Sequence, residues 1–349
     1  SPLQNSVMPA NVAFAAVPSL EHNDPSHPEH NGRVPAILEA LRAANILERL
    51  VEISDPDPAS IAQVTAVHHP DYIRKLREQV RSAPVYVDPA PTYITRASFD
   101  CALNAAGAGI AMVEAILDGS ARSGFALIRP PGHHARPRAA MGFCLFGNIA
   151  IAARHAQKRG IERILIVDFD VHHGNGTQEI FYHDQTVFLV SLHQAGIYPG
   201  GGRASETGSG AGGGFTLNIP LPAHAGSAAL QQLIGDLIIP AARRFAPGLI
   251  LASAGFDAHW RDPLASLQYV SRDYHSLATA LQKLAAECCS GRLAFFLEGG
   301  YDLPALADGA GNVFRALLSS PTEDTLGPAS HAEPGIKNLL AELRRIHGF

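Results

Sequence analysis

Short apolar runs rich in β-branched and aromatic residues recur along the chain at 12–17, 124–128, 164–169, 187–192, 215–220, 248–253 and 293–297. Each has the length of a strand. The run of Ile and Leu that ends at Val167 has no polar interruption, which suits a parallel strand covered on both faces. Between several of these runs, residues 97–117, 148–158, 228–245 and 271–289 repeat apolar positions at helical period. Strands alternating with helices predict an α/β domain on a largely parallel central sheet flanked by helices. No repeat of solenoid period interrupts the pattern. In such sheets ligands sit at the carboxyl ends of the strands, so the residues that follow each run are where chemistry is sought.

Composition narrows the class. The chain has 349 residues, 46% hydrophobic and 17% charged, with a net charge of -5. That is an ordinary globular composition, long enough for a large core. No Ser/Pro-rich linker or charge block marks a boundary, and strand-like segments flank the Gly-rich stretch 200–214, so a single domain over 1–349 is expected. Mild acidity without a Lys/Arg cluster argues against a nucleic-acid surface. No apolar run approaches the roughly 18 residues of a membrane span, so no membrane segment is expected. Residues 1–10 lack the pattern of a secretory signal. Cys101, Cys144, Cys288 and Cys289 form no Cys-x-x-Cys pair or disulfide framework, and adjacent Cys288 and Cys289 read as half-buried thiols on a helix. A reducing cytoplasm fits best, or an organelle matrix if a transit peptide has been removed. Oligomeric state is not legible.

The candidate chemistry gathers after four of the runs. Residues 166–178 read Ile-Val-Asp-Phe-Asp-Val-His-His-Gly-Asn-Gly-Thr-Gln. Asp168, Asp170 and His172 stand at i, i+2 and i+4, positions that share one side of an extended segment. Two carboxylates at the end of a buried strand are costly unless they bind a cation or a partner. The plainer alternative is a salt-bridged pair beside a Gly turn. Elsewhere, 124–128 leads into Arg129-Pro130-Pro131-Gly132-His133-His134, 248–253 into Ala254-Gly255-Phe256-Asp257, and 293–297 into Glu298-Gly299-Gly300-Tyr301. Asp170, His172 and Asp257 would leave coordination positions open, as a catalytic zinc site requires, and would also suit Fe(II) or Mn(II). For Asp257 the alternative is a helix cap. His133 and His134 are read as two further ligands or as a base and acid beside a metal-bound water, with Asp168 orienting one imidazole and Asn175 the other. Tyr301, after two glycines, could donate to a developing oxyanion. Together these describe hydrolysis of an amide or ester carbonyl. No Gly-x-Ser-x-Gly elbow or phosphate loop competes, and 200–214 is read as a loop beside the site.

These residues resemble the zinc-dependent histone deacetylases and the related acetylpolyamine amidohydrolases. The resemblance runs from about His27 to Leu318. It rests on Arg-Pro-Pro-Gly-His-His-Ala, Gly-Phe-Cys, Asp-x-Asp-x-His-His-Gly-Asn-Gly-Thr-Gln, Ser-Ala-Gly-Phe-Asp-Ala-His and Leu-Glu-Gly-Gly-Tyr in order. Asn175 and Phe256-Asp257-Ala258-His259 look like the class II branch, and the similarity extends to plant organellar class II-like deacetylases. The resemblance implies the arginase/deacetylase fold, zinc on Asp170, His172 and Asp257, His133 and His134 as the catalytic pair, and Tyr301 as oxyanion donor. It implies one potassium ion at Asp168, Asp170, His172, Ser191 and Leu192, and another at Phe181, Asp184, Val187 and Phe215. Phe143 and Tyr198 match the walls of an acyl-lysine tunnel, Gly142 the carbonyl that grips the substrate amide, and Cys144 a wall residue. Arg33 matches an arginine beside an acetate exit channel.

Substrate is where this chain departs from the family. Leu264 stands where polyamine-selective members carry a glutamate, which disfavours acetylpolyamines. The rim stretch Asp88-Pro89-Ala90-Pro91-Thr92 does not reveal which residue would hold a peptide backbone. The expected substrate is acetyl-lysine, with small N-acetylated amines such as arylalkylamines as the alternative. An arginase-like enzyme with two manganese ions is disfavoured by His173-Gly174 and Ala258-His259, where extra metal carboxylates would be needed. A non-catalytic module that binds acylated ligands would have no need of Tyr301 and the His pair.

Overall fold

A computed structural model describes residues 11–348. The strands are β1 (Val12–Val17), β2 (Val51–Glu52), β3 (Val85–Tyr86), β4 (Tyr93–Ile94), β5 (Ser123–Ile128), β6 (Ile164–Asp168), β7 (Val187–Gln194), β8 (Thr216–Leu221), β9 (Leu249–Ala254) and β10 (Leu293–Leu297). Eight of them make one sheet in the order β2-β1-β5-β10-β9-β6-β7-β8, while β3 and β4 form a separate hairpin. Every pairing in the large sheet is parallel. Parallel neighbours need crossovers, and helices supply them.

The helices are α1 (Arg33–Ala43), α2 (Ile61–Val64), α3 (Pro70–Gln79), α4 (Ser98–Leu117), α5 (Asn148–Lys158), α6 (Asn175–Phe181), α7 (Ser227–Leu233), α8 (Ile239–Phe245), α9 (Ser271–Cys288), α10 (Leu303–Leu317) and α11 (Lys337–His347). They cover both faces of the sheet. Alternate strand residues point to opposite faces, so Leu165 and Val167 join a core with α1 and α7 to α11. Ile164 and Ile166 join a second core with α3, α4 and α5. Burial on both faces explains why these strands read as continuous apolar runs.

Three expectations need correction. Residues 228–245 are not one regular helix: a π-turn at Ile234–Ile238 separates α7 from α8. Pro240 lacks an N–H and its ring crowds the carbonyl one turn back, which widens the helix there. The helix expected over 97–117 is present as α4, but its 20 residues are long and apolar enough, by length and composition, to cross a membrane, contrary to the expectation that no apolar stretch approaches that length. Its apolarity has another outlet, because Phe99, Ala102, Ala106, Met112 and Val113 are buried in the second core. Finally, Cys288 is half-buried at the end of α9, but Cys289 lies just beyond the helix and is fully buried. All four thiols are unpaired.

Candidate active site

The four strands whose ends carry the candidate chemistry are neighbours in space. Although far apart in sequence, β5, β10, β9 and β6 are consecutive in the sheet. Asp168 ends β6, level with Ser253 of β9 and Ser191 of β7. Beyond it, Asp170 Oδ1 accepts from the backbone N–H of His172 (2.9 Å), and Asp257 Oδ1 accepts from that of Val171 (2.9 Å). His172 Nδ1 lies 3.2 Å from Asp170 Oδ1 and 3.1 Å from Asp257 Oδ2. Asp257 therefore caps no helix; its carboxylate turns toward Asp170 and His172.

Donor atoms from Asp170, His172 and Asp257 all lie within 4.8 Å of one another. Both carboxylates are buried. Burial and the neighbouring Asp170 charge raise the Asp257 pKa, whereas Asp170 is held low despite its burial by His133 and His172. Burial would lower His172, but hydrogen bonds to Asp170 and Asp257 hold it up at about 10. A divalent cation would relieve the same repulsion that this proton relieves, and two oxygens with one nitrogen form a donor set suited to zinc or ferrous iron.

The turn after β5 brings the two imidazoles alongside. His133 Nδ1 is 2.9 Å from Asp168 Oδ2, and His134 Nδ1 is 2.7 Å from Asn175 Oδ1. Their ring centroids are 4.0 Å apart. The partners divide the pair. Burial alone would lower His133, but Asp168, Asp170 and Glu298 raise it well above the ordinary value. Burial, His133 and His172 push His134 well below it. The opposed environments thus bias His133 toward its protonated form and His134 toward its neutral form.

His134, His172 and Tyr301 line a cavity of about 330 Å³ with Gly142, Phe143, Tyr198, Leu264 and the rim residues His27, Pro28, Ala90 and Pro91. A larger cavity of about 940 Å³ lies at the amino ends of the strands, around Arg163, Phe188, Phe215 and Phe245, remote from these groups. Gly142 and Phe143 both have positive φ, +54° and +70°. The rim loop holds that turn: Asp88 Oδ2 accepts from Gly142 N (3.1 Å) and Thr92 Oγ1 from Phe143 N (2.8 Å). Asp88 Oδ1 accepts from the N–H groups of Ala90 and Thr92. Thus Asp88 faces inward, and Ala90 and Pro91 are what the loop shows to the mouth. Cys144 is fully buried, and burial raises its thiol pKa well above the ordinary value.

Arg33 is fully buried beneath Tyr301, its guanidinium carbon 5.1 Å from the ring centroid. It donates to the main-chain oxygens of Glu298 (2.6 Å) and Gly300 (2.8 Å) and to Glu29 (3.1 Å). Ser191 Oγ is 2.9 Å from His193 Nδ1 and, with Leu192, lies beside the 168–172 segment. Farther off, Asp184 pairs with Arg154 (2.6 Å), whose guanidinium also lies over the Phe181 ring. Val187 begins β7 and Phe215 precedes β8, so the outer four residues sit at the opposite end of the sheet from Asp170.

Several site residues were passed over in the sequence. Glu29, between Arg33 and Arg129, is buried, yet those two cations hold its carboxyl at about 2. Asp262 accepts from Tyr301 N (2.8 Å) and Leu264 N (2.9 Å). Glu298 accepts from the N–H groups of Gly132 and His133. The only signal was a charged residue embedded in an apolar motif, as in Leu297-Glu298-Gly299-Gly300.

A parallel α/β sheet with paired buried histidines and a metal-capable donor set at its carboxyl edge fits a hydrolase of the arginase/deacetylase fold. Residues 27–317 match the histone deacetylase domain. The chain is 44% identical over 334 residues to "Histone deacetylase 10, chloroplastic" of Oryza sativa subsp. japonica, covering 91% of this chain and 75% of the relative. It is 45% identical over 333 residues to "Histone deacetylase 14, chloroplastic" of Arabidopsis thaliana, covering 91% and 78%. The crystal structure of the HDA15 HD domain superposes with a TM-score of 0.87 at 32% identity, over 97% of this chain and 95% of that one. The chain belongs to the histone deacetylase family.

Proposed function

We propose that this protein removes the acetyl group from an N-acetylated amine, with acetyl-lysine as the first candidate. The observation that carries this reading is the convergence of two oppositely tuned imidazoles and a three-residue donor set, with His134, His172 and Tyr301 lining one cavity. Asp170, His172 and Asp257 would hold zinc, with ferrous iron as an alternative. The ion supplies Lewis acidity and lowers the pKa of a water ligand.

The protein's own groups do the rest. His134, neutral and with Nδ1–H donating to Asn175 Oδ1, presents Nε2 to the cavity and takes the proton of the attacking water. His133, paired with Asp168, keeps its proton and lends positive charge as the carbonyl oxygen becomes anionic. The Tyr301 hydroxyl donates to that oxygen. The C–N bond then breaks as the proton held by His134 passes to the leaving nitrogen, which releases acetate and amine. Phe143 and Tyr198 wall the acyl-lysine chain, and the Gly142 carbonyl accepts from the substrate amide. Asp168 with Asp170, His172, Ser191 and Leu192 would hold one potassium ion. Phe181, Asp184, Val187 and Phe215 would hold the other through main-chain oxygens, since Arg154 engages the Asp184 carboxylate.

A second reading, a small N-acetylated amine with an apolar body, is favoured by the mouth. Leu264, Pro28, Ala90 and Pro91 offer no carboxylate for a distant ammonium, and Asp88 is already committed to three backbone N–H groups. Four unpaired thiols agree with a reducing compartment, and two relatives named chloroplastic favour an organelle matrix. The test is kcat/KM, side by side, on an acetyl-lysine peptide, an acetylpolyamine and an N-acetylated arylalkylamine. Tyr301→Phe should lower kcat about 100-fold or more with metal content unchanged. No turnover of any of the three, or full activity in Tyr301→Phe, would refute the reading.

A further inference from the structure

Strand pairing between β5 and β10 ends early. Their register runs from Ser123 opposite Leu293 to Ala126 opposite Phe296 and goes no farther. Past that point the two strands carry the parts that must cooperate, the His pair on one and Tyr301 on the other, without a shared backbone ladder. One side chain spans the gap. Glu298, fully buried, directs Oε2 at the N–H groups of Gly132 (2.8 Å) and His133 (3.0 Å), while Oε1 accepts from Ser253 Oγ of β9 (2.9 Å). Among the described residues, these two bonds are the only hydrogen bonds that join 129–134 to 297–301.

The rest of the Glu298 segment is fixed from other sides. Arg33 holds the oxygens of Glu298 and Gly300, Gly299 N donates to Asp170 Oδ2 (2.8 Å), and Tyr301 N donates to Asp262. From this geometry we infer that Glu298 is a positioning residue: its carboxylate locks the turn that bears His133 and His134 to the strand end that bears Tyr301. The inference rests on the deacetylase reading above. Glu298, His133 and Cys144 also place donor atoms within 4.8 Å of one another. The three N–H and O–H donors on the Glu298 oxygens already satisfy that carboxylate, which makes it a clamp for backbone and not a cation ligand.

The clamp needs reach and acceptor geometry more than charge, so two substitutions should behave in inverted order. Glu298→Gln loses the charge, but its amide oxygen can accept both N–H groups while its NH₂ donates to Ser253 Oγ. Glu298→Asp keeps the charge but is one methylene too short. In metal-loaded protein, Glu298→Gln should keep kcat within about tenfold of wild type, whereas Glu298→Asp should lose about 100-fold, the usual cost of a reacting group misplaced by about 1 Å. KM should stay within about threefold and metal content should not change. In a Tyr301→Phe background Glu298→Asp should cost far less, because the relation it maintains no longer matters. Near-wild-type kcat in Glu298→Asp, equal losses in Asp and Gln, or additive losses with Tyr301→Phe would overturn the proposal. If wild type turns over no acetylated amine, the functional reading falls but the clamp is still tested by amide hydrogen exchange at Gly132 and His133. Exchange should be slow in wild type and Glu298→Gln and fast in Glu298→Asp; equal rates in all three would refute it.

Discussion

Replacing Gly299 by alanine tests the donor set with a single methyl group. A Cβ at this position would stand 2.2 Å from Asp257 Oδ2 and 2.6 Å from Asp170 Oδ2. Both approaches fall about 1 Å inside an ordinary contact distance of about 3.5 Å, so both carboxylates would have to retreat. Neither is free to do so. Asp257 Oδ1 holds the Val171 N–H, Asp170 Oδ1 holds the His172 N–H, and both residues are buried. A metal site tolerates ligand displacements of only about 0.2 Å. Zinc affinity should therefore fall about 100-fold, or about 2.7 kcal/mol. The assay is titration of metal-free protein with zinc against a competing chromophoric chelator. The control is Gly311→Ala in α10, where a Cβ meets nothing within 4 Å; it should leave zinc binding unchanged and add up to about 1 kcal/mol of stability. Wild-type zinc affinity in Gly299→Ala would refute the placement of the two carboxylates around one ion.

Asp257→Ala should abolish stoichiometric zinc, and full zinc by elemental analysis would remove it from the ligand set. Leu264→Glu should raise activity on an acetylpolyamine relative to an acetyl-lysine peptide; an unchanged ratio of kcat/KM values would mean that the rim does not read charge. Stability should fall on acidification from about pH 6.5 to 4, partly through His68. Buried between the carbonyl of Arg136 and the N–H of Gly147, this imidazole is held neutral, with a pKa lowered by burial to about 4. The unfolded chain takes up the proton first, so the contribution is complete above about pH 6.5 and loses up to about 3 kcal/mol by pH 4. Urea unfolding across this range should show a shallower pH dependence in His68→Gln, and an identical slope would contradict the assignment.

Much of the site was legible because its signals are local. The i, i+2, i+4 spacing of Asp168, Asp170 and His172 marks clustered donors, although β6 ends at Asp168 and residues 170–172 bend away from the extended path that the spacing assumed; the Gly-Gly before Tyr301 and the Pro-Pro-Gly before His133 mark turns on sight. The strand runs were legible for the same reason, since burial on both faces removes polar residues from a short window. The helical period over 228–245 was also legible, but not the π-turn that Pro240 imposes. The full apolar length of α4 was not recognised in the sequence, and its packing partners in the second core come from elsewhere in the chain.

The rim shows where local signals stop. The stretch 88–92 did not reveal which residue faces substrate, because the direction of Asp88 depends on Gly142 and Thr92, one of them more than fifty positions away. Glu298 and Asp262 escaped notice because each acts on backbone N–H groups contributed by another loop. Local spacing alone determined which residues stand at strand ends and which chemistry they could perform. Only the tertiary structure decided that β5, β10, β9 and β6 lie side by side, and so which donors meet, in which direction each imidazole is shifted and which carboxylates are already hydrogen-bonded. The reason is physical: strand order and hydrogen-bond partners are long-range pairings, set by how crossover helices pack on the sheet and not by the residues next in line.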